Sequence, residues 1–462
     1  MKSVSILAGI VLAAGKGTRM KSDQPKALFP IIGLPMAEWV GRAMREAGIE
    51  KPIVVIGHQA DLVRERLSES YGYALQAEQH GTGHAVSMAR EALDGYDGPV
   101  LIAPGDAPLL DGEALQALAQ HHAKTGAVAT LATTTPADPT GYGRIVRCST
   151  GGVSRIVEER DASDDERRIG EVNAGIYCFD CQALFEALPR LGSANAQGEF
   201  YLTDVIALLA DAGRVETLSL PEEAVAGVND RWQLAEAEAT LRRRILRRHA
   251  LAGVTIVDPG TTIVGPDVRI GGDVEILPNT IVLGETVIES GAIIGPGSVV
   301  KDSQIGTNCE VLMSHLARAV MKEGSKCGPF ANLRPGAVIG EGAKVGNFVE
   351  IKKSSLGAGA SVAHLTYLGD ATVGEGTNVG AGTITCNYDG FDKSPTKIGA
   401  NAFIGSNSTL VAPVTIGDGA IIGAGSVITT DVPGDALGLG RSRQENKEQW
   451  APQWRERKRR PR

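Results

Sequence analysis

At 462 residues the chain exceeds one ordinary domain, and two or three are expected. Its hydrophobic share of 43% is enough to build real cores, and its formal charge of −8 argues against general nucleic-acid binding while leaving room for local basic pockets. The 58 glycines stand well above an average usage of about 7%, and only 4% of residues are aromatic; regular apolar spacing between the glycines excludes a low-complexity linker.

The first predicted element is a buried strand over the apolar run Val4 to Val11. Leu12-Ala13-Ala14-Gly15-Lys16-Gly17-Thr18-Arg19-Met20 follows it, and Pro25-Lys26 lies ten residues beyond Lys16. Small residues let backbone N–H groups approach a ligand, and such a turn feeding a helix cradles an anion. Lys16, Arg19 and Lys26 add positive charge, so the stretch suits a polyphosphate. A dinucleotide fingerprint would need glycine where Met20 stands, and the P-loop spacing is absent. Residues 4–14 imitate a signal-peptide core, but the basic cluster follows the run instead of preceding it. With no apolar run of about 18 residues elsewhere, no membrane span and a cytoplasmic location are expected.

Up to about residue 228, short strands such as Pro52 to Gly57 and Pro99 to Ala103 alternate with helical periods at Met36 to Ala47 and Ala60 to Ser68. That alternation predicts a mostly parallel, doubly wound sheet whose ligand sits at the carboxyl ends of strands. The opening loop and Gly105-Asp106 both follow strands and are expected to face one crevice. Cys178 and Cys181 form a CxxC with no second ligand pair at zinc spacing, so they read as two reduced thiols at a strand end. One connecting helix is expected over 230–250, where Leu234, Ala237, Leu241, Ile245 and Leu246 recur among Glu and Arg.

From Thr255 to about Asp431 an aliphatic–glycine pair recurs in steps of six: Val264-Gly265 and Ile270-Gly271, Ile339-Gly340 and Val345-Gly346, Ile416-Gly417 and Ile422-Gly423. This hexapeptide rhythm specifies a parallel β-helix, with the aliphatic residue inward and the glycine allowing the corner. It breaks between Met313 and Phe330 and between Thr383 and Thr396, where extruded loops are expected. A basic, mobile tail ends at Arg455 to Arg462.

Leu12 to Met20 with Pro25-Lys26 resembles the signature of sugar-1-phosphate nucleotidyltransferases. Gln76 to Ala85, Gly141 to Ile145, Ile156-Val157-Glu158, Glu171 to Gly175 and Gly227-Val228-Asn229 narrow this to the bacterial N-acetylglucosamine-1-phosphate uridyltransferases. Gly328-Pro329-Phe330, Leu333 to Gly336, Asn347 to Lys353, His364 to Asp370 and Gly382 to Gly390 resemble the acetyltransferase half of the same bifunctional family.

The resemblance implies an α/β fold: a Rossmann-like nucleotidyltransferase domain over 1–229, the linker helix, and a left-handed parallel β-helix acetyltransferase domain with its tail over 251–462. It implies acetyl transfer from acetyl-CoA to glucosamine-1-phosphate. Uridylyl transfer from UTP to N-acetylglucosamine-1-phosphate follows, giving a peptidoglycan precursor and pyrophosphate. Leu12, Ala13, Ala14, Gly15, Arg19 and Lys26 would hold the UTP phosphates, and Gln76, Gln79, Gly81 and Thr82 the uracil. Gly143, Glu158 and Asn173 would bind the sugar, and Asp106 with Asn229 would ligate Mg²⁺. In the second half His364 would be the base and Glu350 its orienting partner. Arg334, Lys352, Tyr367, Asn378 and Lys393 would clamp glucosamine phosphate; Asn387, Tyr388, Ser406, Ala424 and Arg441 would serve acetyl-CoA. Members of the family are homotrimers with sites between chains. Pro104 departs from the tyrosine many members carry, and the lost phenol removes a sugar or base contact. A single-activity enzyme with a structural β-helix, and a non-catalytic scaffold or sensor, remain the rival readings.

Overall fold

The computed structural model describes residues 7–67 and 69–459. The chain divides into two compact units, Met1–Arg242 and Arg243–Arg462. The division falls inside one helix, Arg231–Leu251, which matches the helical spacing read between Asp230 and Ala250.

Among the described residues of the first unit, nine strands form one sheet. In chain order they are β1 (Ala8–Leu12), β2 (Ile53–Ile56), β3 (Gly72–Leu75), β4 (Pro99–Pro104), β5 (Ala129–Thr134), β6 (Arg144–Arg147), β7 (Val153–Val157), β8 (Val172–Asp180) and β9 (Val215–Ser219). The main order is β9-β5-β8-β4-β1-β2-β3, with β6 on β8 and β7 on β6. Pairs β4–β1, β1–β2, β2–β3 and β9–β5 are parallel. Strand β8 runs antiparallel to both β4 and β5, so the sheet is mixed.

The apolar run expected from Val4 is described as a strand from Ala8; its first residues lie outside the described residues. The second helical period ends at Leu67, and its last expected residue, Ser68, also lies outside them. Helices Met36–Glu46 and Gly112–Thr125 bury one face on the sheet through Val40, Met44, Leu115 and Leu118. Val205, Ile206 and Leu209 of helix Val205–Ala212 join the second core cluster. Two apolar layers thus fix the strand ends from which the site loops emerge.

In the second unit, three parallel sheets of 11, 10 and 9 short strands form the faces of a triangular coil. On the second face Val264, Val282, Val300, Leu316, Leu333, Ile351 and Leu368 stack in register. All seven are fully buried. Each contributes roughly 1.5–3 kcal/mol of burial, so one aliphatic residue per strand holds the stack together. The glycine of each aliphatic–glycine pair has a different task from the one expected. A Cβ on Gly340 would stand 2.6 Å from the backbone of Gly357 in the next coil, whereas the left-handed corner conformation falls on Gly342, at φ 61°. The pair's glycine permits close stacking of coils, and the turn is made two residues later.

Of the two rhythm breaks, only the later one extrudes a loop. Between Met313 and Phe330 the coil continues through strands His315–Ala317, Val320–Met321 and Lys326–Cys327. Leu316, Met321 and Cys327 occupy the inward positions without the aliphatic–glycine signature. Between Asn387 and Thr396 the chain leaves the coil, closed by a Tyr388–Lys393 bridge and by Asp389, whose carboxylate accepts from Phe391 N and Asp392 N at 2.8 Å. The expected mobile tail carries a helix, Trp450–Arg459, with the Trp450 and Trp454 rings stacked one turn apart at 6.1 Å. Residues of the tail beyond Arg459 lie outside the described residues.

Candidate active sites

The first site is built where β1 and β4 end. Leu12 pairs with Pro104, Gly105 N donates to Leu12 O at 2.8 Å, and Ala13 N donates to Val55 O at 2.9 Å. The opening loop and the Gly105-Asp106 turn therefore face one crevice, as expected. A cavity of about 340 Å³ opens there, lined by the loop from Leu12 to Gly15 and by Lys26, Gln76, Gln79, Thr82, Pro104 and Asp106, among others. No long helix follows the loop. Thr18–Met20 and Lys26–Leu28 are single 3-10 turns, so a helix dipole does not supply the positive field. Arg19, Lys26 and exposed Lys16 supply it instead. Gly17, at φ 63°, lies against the Lys26 stem, and a Cβ there would collide with it.

Lys26 Nζ donates to Asp106 Oδ2 and, at 3.0 Å, to Asn229 Oδ1. Arg19 Nη2 reaches the same Asn229 oxygen at 2.7 Å. Val228 N binds Asp106 O at 2.8 Å, which brings the distant segment to the turn. The two oxygens expected to ligate a metal thus converge on one cation, the ammonium of Lys26. Their donor set, a carboxylate and an amide oxygen, suits a hard divalent ion completed by phosphate oxygens and water.

Gln79 Nε2 donates to Ala14 O at 2.8 Å and ties the base-recognition segment to the opening loop. Gln76 Nε2 donates to Gly81 O at 3.0 Å. Thr82 Oγ1 accepts from Leu202 N at 3.0 Å. Gly143, Glu158 and Asn173 form a separate group outside the cavity lining. Asn173 N donates to Gly143 O at 2.8 Å, and a Cβ on Gly143 would stand 3.4 Å from Glu158 Oε2. The Asn173 amide is satisfied within its own strand, donating to Tyr177 Oη at 2.7 Å and accepting from Gly175 N at 3.2 Å. Burial holds the Glu158 carboxyl above the usual range, opposed by the Thr203 hydroxyl that donates to it at 3.0 Å. Pro104 borders both groups: it lines the cavity, and its ring lies 4.0 Å from where a Gly175 Cβ would be.

The second site lies in the β-helix. On its second face Asn332, Glu350 and Tyr367 occupy one register position in successive coils. Arg334 Nη1 donates to Glu350 Oε1 at 2.8 Å. Lys352 follows, its ammonium pKa lowered by Lys393 and by Arg334, so three cations converge. Asn387, nearly buried, donates through Nδ2 to Asp370 Oδ2 at 2.5 Å. Tyr388 begins the extruded loop and donates to Gly390 O at 2.6 Å.

His364 ends strand Ser361–His364, exposed, at the corner between the first and second faces. The same corner carries the proposed coenzyme residues in the coils that follow. Thr366 Oγ1 reaches Gly380 O at 3.5 Å, a Gly380 Cβ would meet Ser406 N at 2.6 Å, and Gly425 N donates to Ser406 O at 2.8 Å. Ala424 precedes Gly425, and Arg441 Cδ lies 3.9 Å from the Gly425 Cβ position.

Within one chain two expected partnerships are not seen. Glu350 Oε1 accepts from Arg334, one coil earlier on the same face, and among the described residues no hydrogen bond joins Glu350 to His364. Asn378 does not join the cationic group, because it sits on the first face, paired with Phe403 and Ser361.

Residues 8–224 match the nucleotidyl transferase family model, and residues 267–302 and 395–430 match the bacterial transferase hexapeptide model. Bifunctional protein GlmU of Streptococcus suis (strain 98HAH33) is 48% identical over 444 residues, 96% of each chain. Its counterpart in Heliobacterium modesticaldum is 51% identical over 442 residues, 95% of this chain and 96% of its own. The chain belongs to the bifunctional GlmU family. It is a bifunctional transferase that acetylates glucosamine-1-phosphate and uridylylates the acetylated product. The rival single-activity and scaffold readings give way to membership of GlmU over nearly the whole length.

Cys178 and Cys181 are buried thiols, burial pushing them up to about 12 and about 11, so they stay protonated. Among the described residues no helix is long and apolar enough to cross a membrane, and no cluster of three or more His, Cys, Asp or Glu side chains forms a metal centre. His84, which contacts Gln76, was not singled out from the sequence as a functional residue.

Proposed function

We propose that the two activities follow the two units, and that the β-helix site acts first. The glucosamine-1-phosphate amine attacks the acetyl-CoA carbonyl, His364 takes the amine proton, and coenzyme A leaves as the thiol. Arg334, Lys352 and Lys393 hold the sugar phosphate, and Tyr367 packs beside them. Asn387 and Tyr388 contact the acetyl group, while the corner column of Ser406, Ala424 and Arg441 carries coenzyme A. The N-acetylated sugar phosphate then reaches the first unit, where its phosphate oxygen attacks the α-phosphorus of UTP and pyrophosphate leaves. No covalent enzyme intermediate is needed, so positioning and charge neutralisation carry this step.

The observation that carries the uridylyl assignment is the convergence of Asp106 and Asn229 on the Lys26 ammonium at the cavity. Asp106 and Asn229 would hold Mg²⁺, which supplies charge neutralisation on the phosphates when bound. Arg19 and Lys26 bind the phosphate oxygens, the small-residue stretch from Leu12 to Gly15 lines the approach, and Gln76, Gln79, Gly81 and Thr82 read the base. Glu158 accepts from a sugar hydroxyl, with Gly143 and Asn173 shaping that end.

A homotrimer is supported by an exposed apolar ridge. Met313, Phe330, Phe348 and Leu365 recur at one corner with φ between 42° and 59°, and the two phenyl rings stack at 5.3 Å. In such an assembly Asn378, remote from the cationic group in its own chain, would serve a neighbour's site. A cytoplasmic location fits co-substrates, UTP and acetyl-CoA, that cells hold internally. The deciding experiment follows coenzyme A thiol from glucosamine-1-phosphate and, in a separate assay supplied with N-acetylglucosamine-1-phosphate, pyrophosphate, in wild type, His364→Ala and Asp106→Ala. Loss of one product in each variant supports two sites; equal loss of both in folded protein refutes them.

A further inference from the structure

We propose that His84 is a positioning residue that sets the Gln76 amide to accept uracil and reject cytosine. The inference rests on the assignment of the first cavity to UTP. Gln76 lines that cavity although it is only 3% exposed. Its Nε2 lies 3.0 Å from Gly81 O, and a carbonyl can only accept, so this contact identifies the nitrogen end of the amide. The second amide hydrogen meets His84 Nδ1 at 3.1 Å. Nδ1 therefore accepts, and the imidazole carries its proton on Nε2.

Both Gln76 donors are thus consumed inside the protein. Its Oε1 is the part of the amide left for a ligand. Uracil carries a hydrogen on ring N3, which Oε1 accepts; cytosine carries a lone pair there, which Oε1 repels. A reversed amide would invert the preference. Gly81 O alone opposes that reversal through one hydrogen bond, and His84 adds the second.

The local structure holds the imidazole in place. His84 belongs to the short helix Thr82–Ser87, and Ser87 Oγ donates to its carbonyl at 2.7 Å. Its ring lies 5.2 Å from that of His80, tilted by 55°. It borders a second cavity, with Ser87, Arg90, Phe185 and Phe200, and is absent from the lining of the first. It consequently acts on the base through Gln76 and not by contact.

The test compares uridylyl transfer by the full-length protein with UTP and with CTP as donor, in wild type, His84→Phe and His84→Asn. His84→Phe, which keeps a ring and removes the acceptor, should lower the UTP-over-CTP ratio of kcat/KM by about fivefold or more, chiefly through KM for UTP. His84→Asn, with an amide oxygen able to accept, should restore most of the ratio. Acetyl transfer in the same preparations should be unchanged. An unaltered ratio, or an equal loss with both nucleotides, overturns the proposal. Wild type that fails to use UTP would instead sink the assignment of the cavity. Isotope-edited histidine NMR of the wild type gives an answer independent of the variants' folding: Nδ1 of His84 should be unprotonated, and a proton on it refutes the role.

Discussion

Arg334 and Glu350 form an ion pair at 2.8 Å between adjacent coils of one β-helix face. Both side chains are substantially exposed, so the pair adds little to stability. Its effect is positional, since it turns the guanidinium into the group that contains Lys352 and Lys393. Lowering of the Lys352 ammonium pKa by its cationic neighbours shows that these charges repel one another without an anion. A sugar phosphate relieves that repulsion. Arg334→Ala should therefore raise KM for glucosamine-1-phosphate by about tenfold or more through loss of a charged contact, with the melting temperature and uridylyl transfer nearly unchanged. Parallel assays and thermal melts check this; a matching fall in both activities would contradict it.

His364 stands exposed at the corner, and Glu350 accepts from Arg334 through Oε1. The imidazole should consequently act as base without a carboxylate partner. His364→Ala should slow acetyl transfer by about 10²–10⁴-fold, the usual worth of a positioned base. Uridylyl transfer should be retained. Glu350→Gln should then affect KM for the sugar phosphate more than the pH profile of kcat. A Glu350→Gln profile displaced along the pH axis would instead mean that the carboxylate faces the imidazole during turnover.

Asp106 is held by Lys26 on one side and by Val228 N through its own carbonyl on the other. Asp106→Ala should remove one of two converging oxygens and lower uridylyl transfer by at least about 100-fold, in line with loss of a preorganised charge at a phosphoryl site. Acetyl transfer should remain. Lys26→Ala should free the Asp106 carboxylate, with Asn229 Oδ1 still held by Arg19, so isothermal titration should show tighter Mg²⁺ binding while uridylyl kcat falls. Unchanged or weaker Mg²⁺ affinity in Lys26→Ala would mean that the ammonium does not compete for that position.

The division between strand–helix alternation and hexapeptide rhythm was legible because each rests on a period: strands bounded by Gly and Pro in one half, inward aliphatic residues in the other. The meeting of the opening loop with Gly105-Asp106 was also legible, since both follow strands that pair in parallel. Other features depend on contacts that no period encodes. Lys26 and Asn229 stand 203 residues apart in sequence, and only resemblance placed them together. The first rhythm break misled because Leu316 and Met321 fill inward positions without glycine beside them, and Cys327, though followed by Gly328, is not aliphatic. Glu350 was matched to His364 by resemblance, whereas in the coil its register partners are Asn332 and Tyr367 and its carboxylate meets Arg334 across the step between coils. His84 sits within a motif noted for Gln76 and Gly81, and its role depends on which nitrogen accepts.

Glu158 gives a prediction whose sign can be worked out. Burial is the main cause of its raised pKa, helped by Asp204 and Asp161 and opposed by Thr203. The folded chain therefore keeps this proton to a higher pH than the unfolded chain, whose glutamates titrate near about 4.3. Below that range both states are protonated and the group adds no pH dependence. Above it the folded state binds more protons, so stability falls as pH rises through the raised folded value and then levels off. Glu158→Gln should remove that slope in melts recorded across the acidic to neutral range. The same titration should govern the sugar end of the site: KM for N-acetylglucosamine-1-phosphate should fall as pH rises and the carboxylate becomes an acceptor for a hydroxyl. In Glu158→Gln this pH dependence should vanish while the KM for UTP is little changed. If the variant keeps the wild-type pH dependence of both KM and stability, another group carries it, and Asp204, also raised by burial, is the first to substitute.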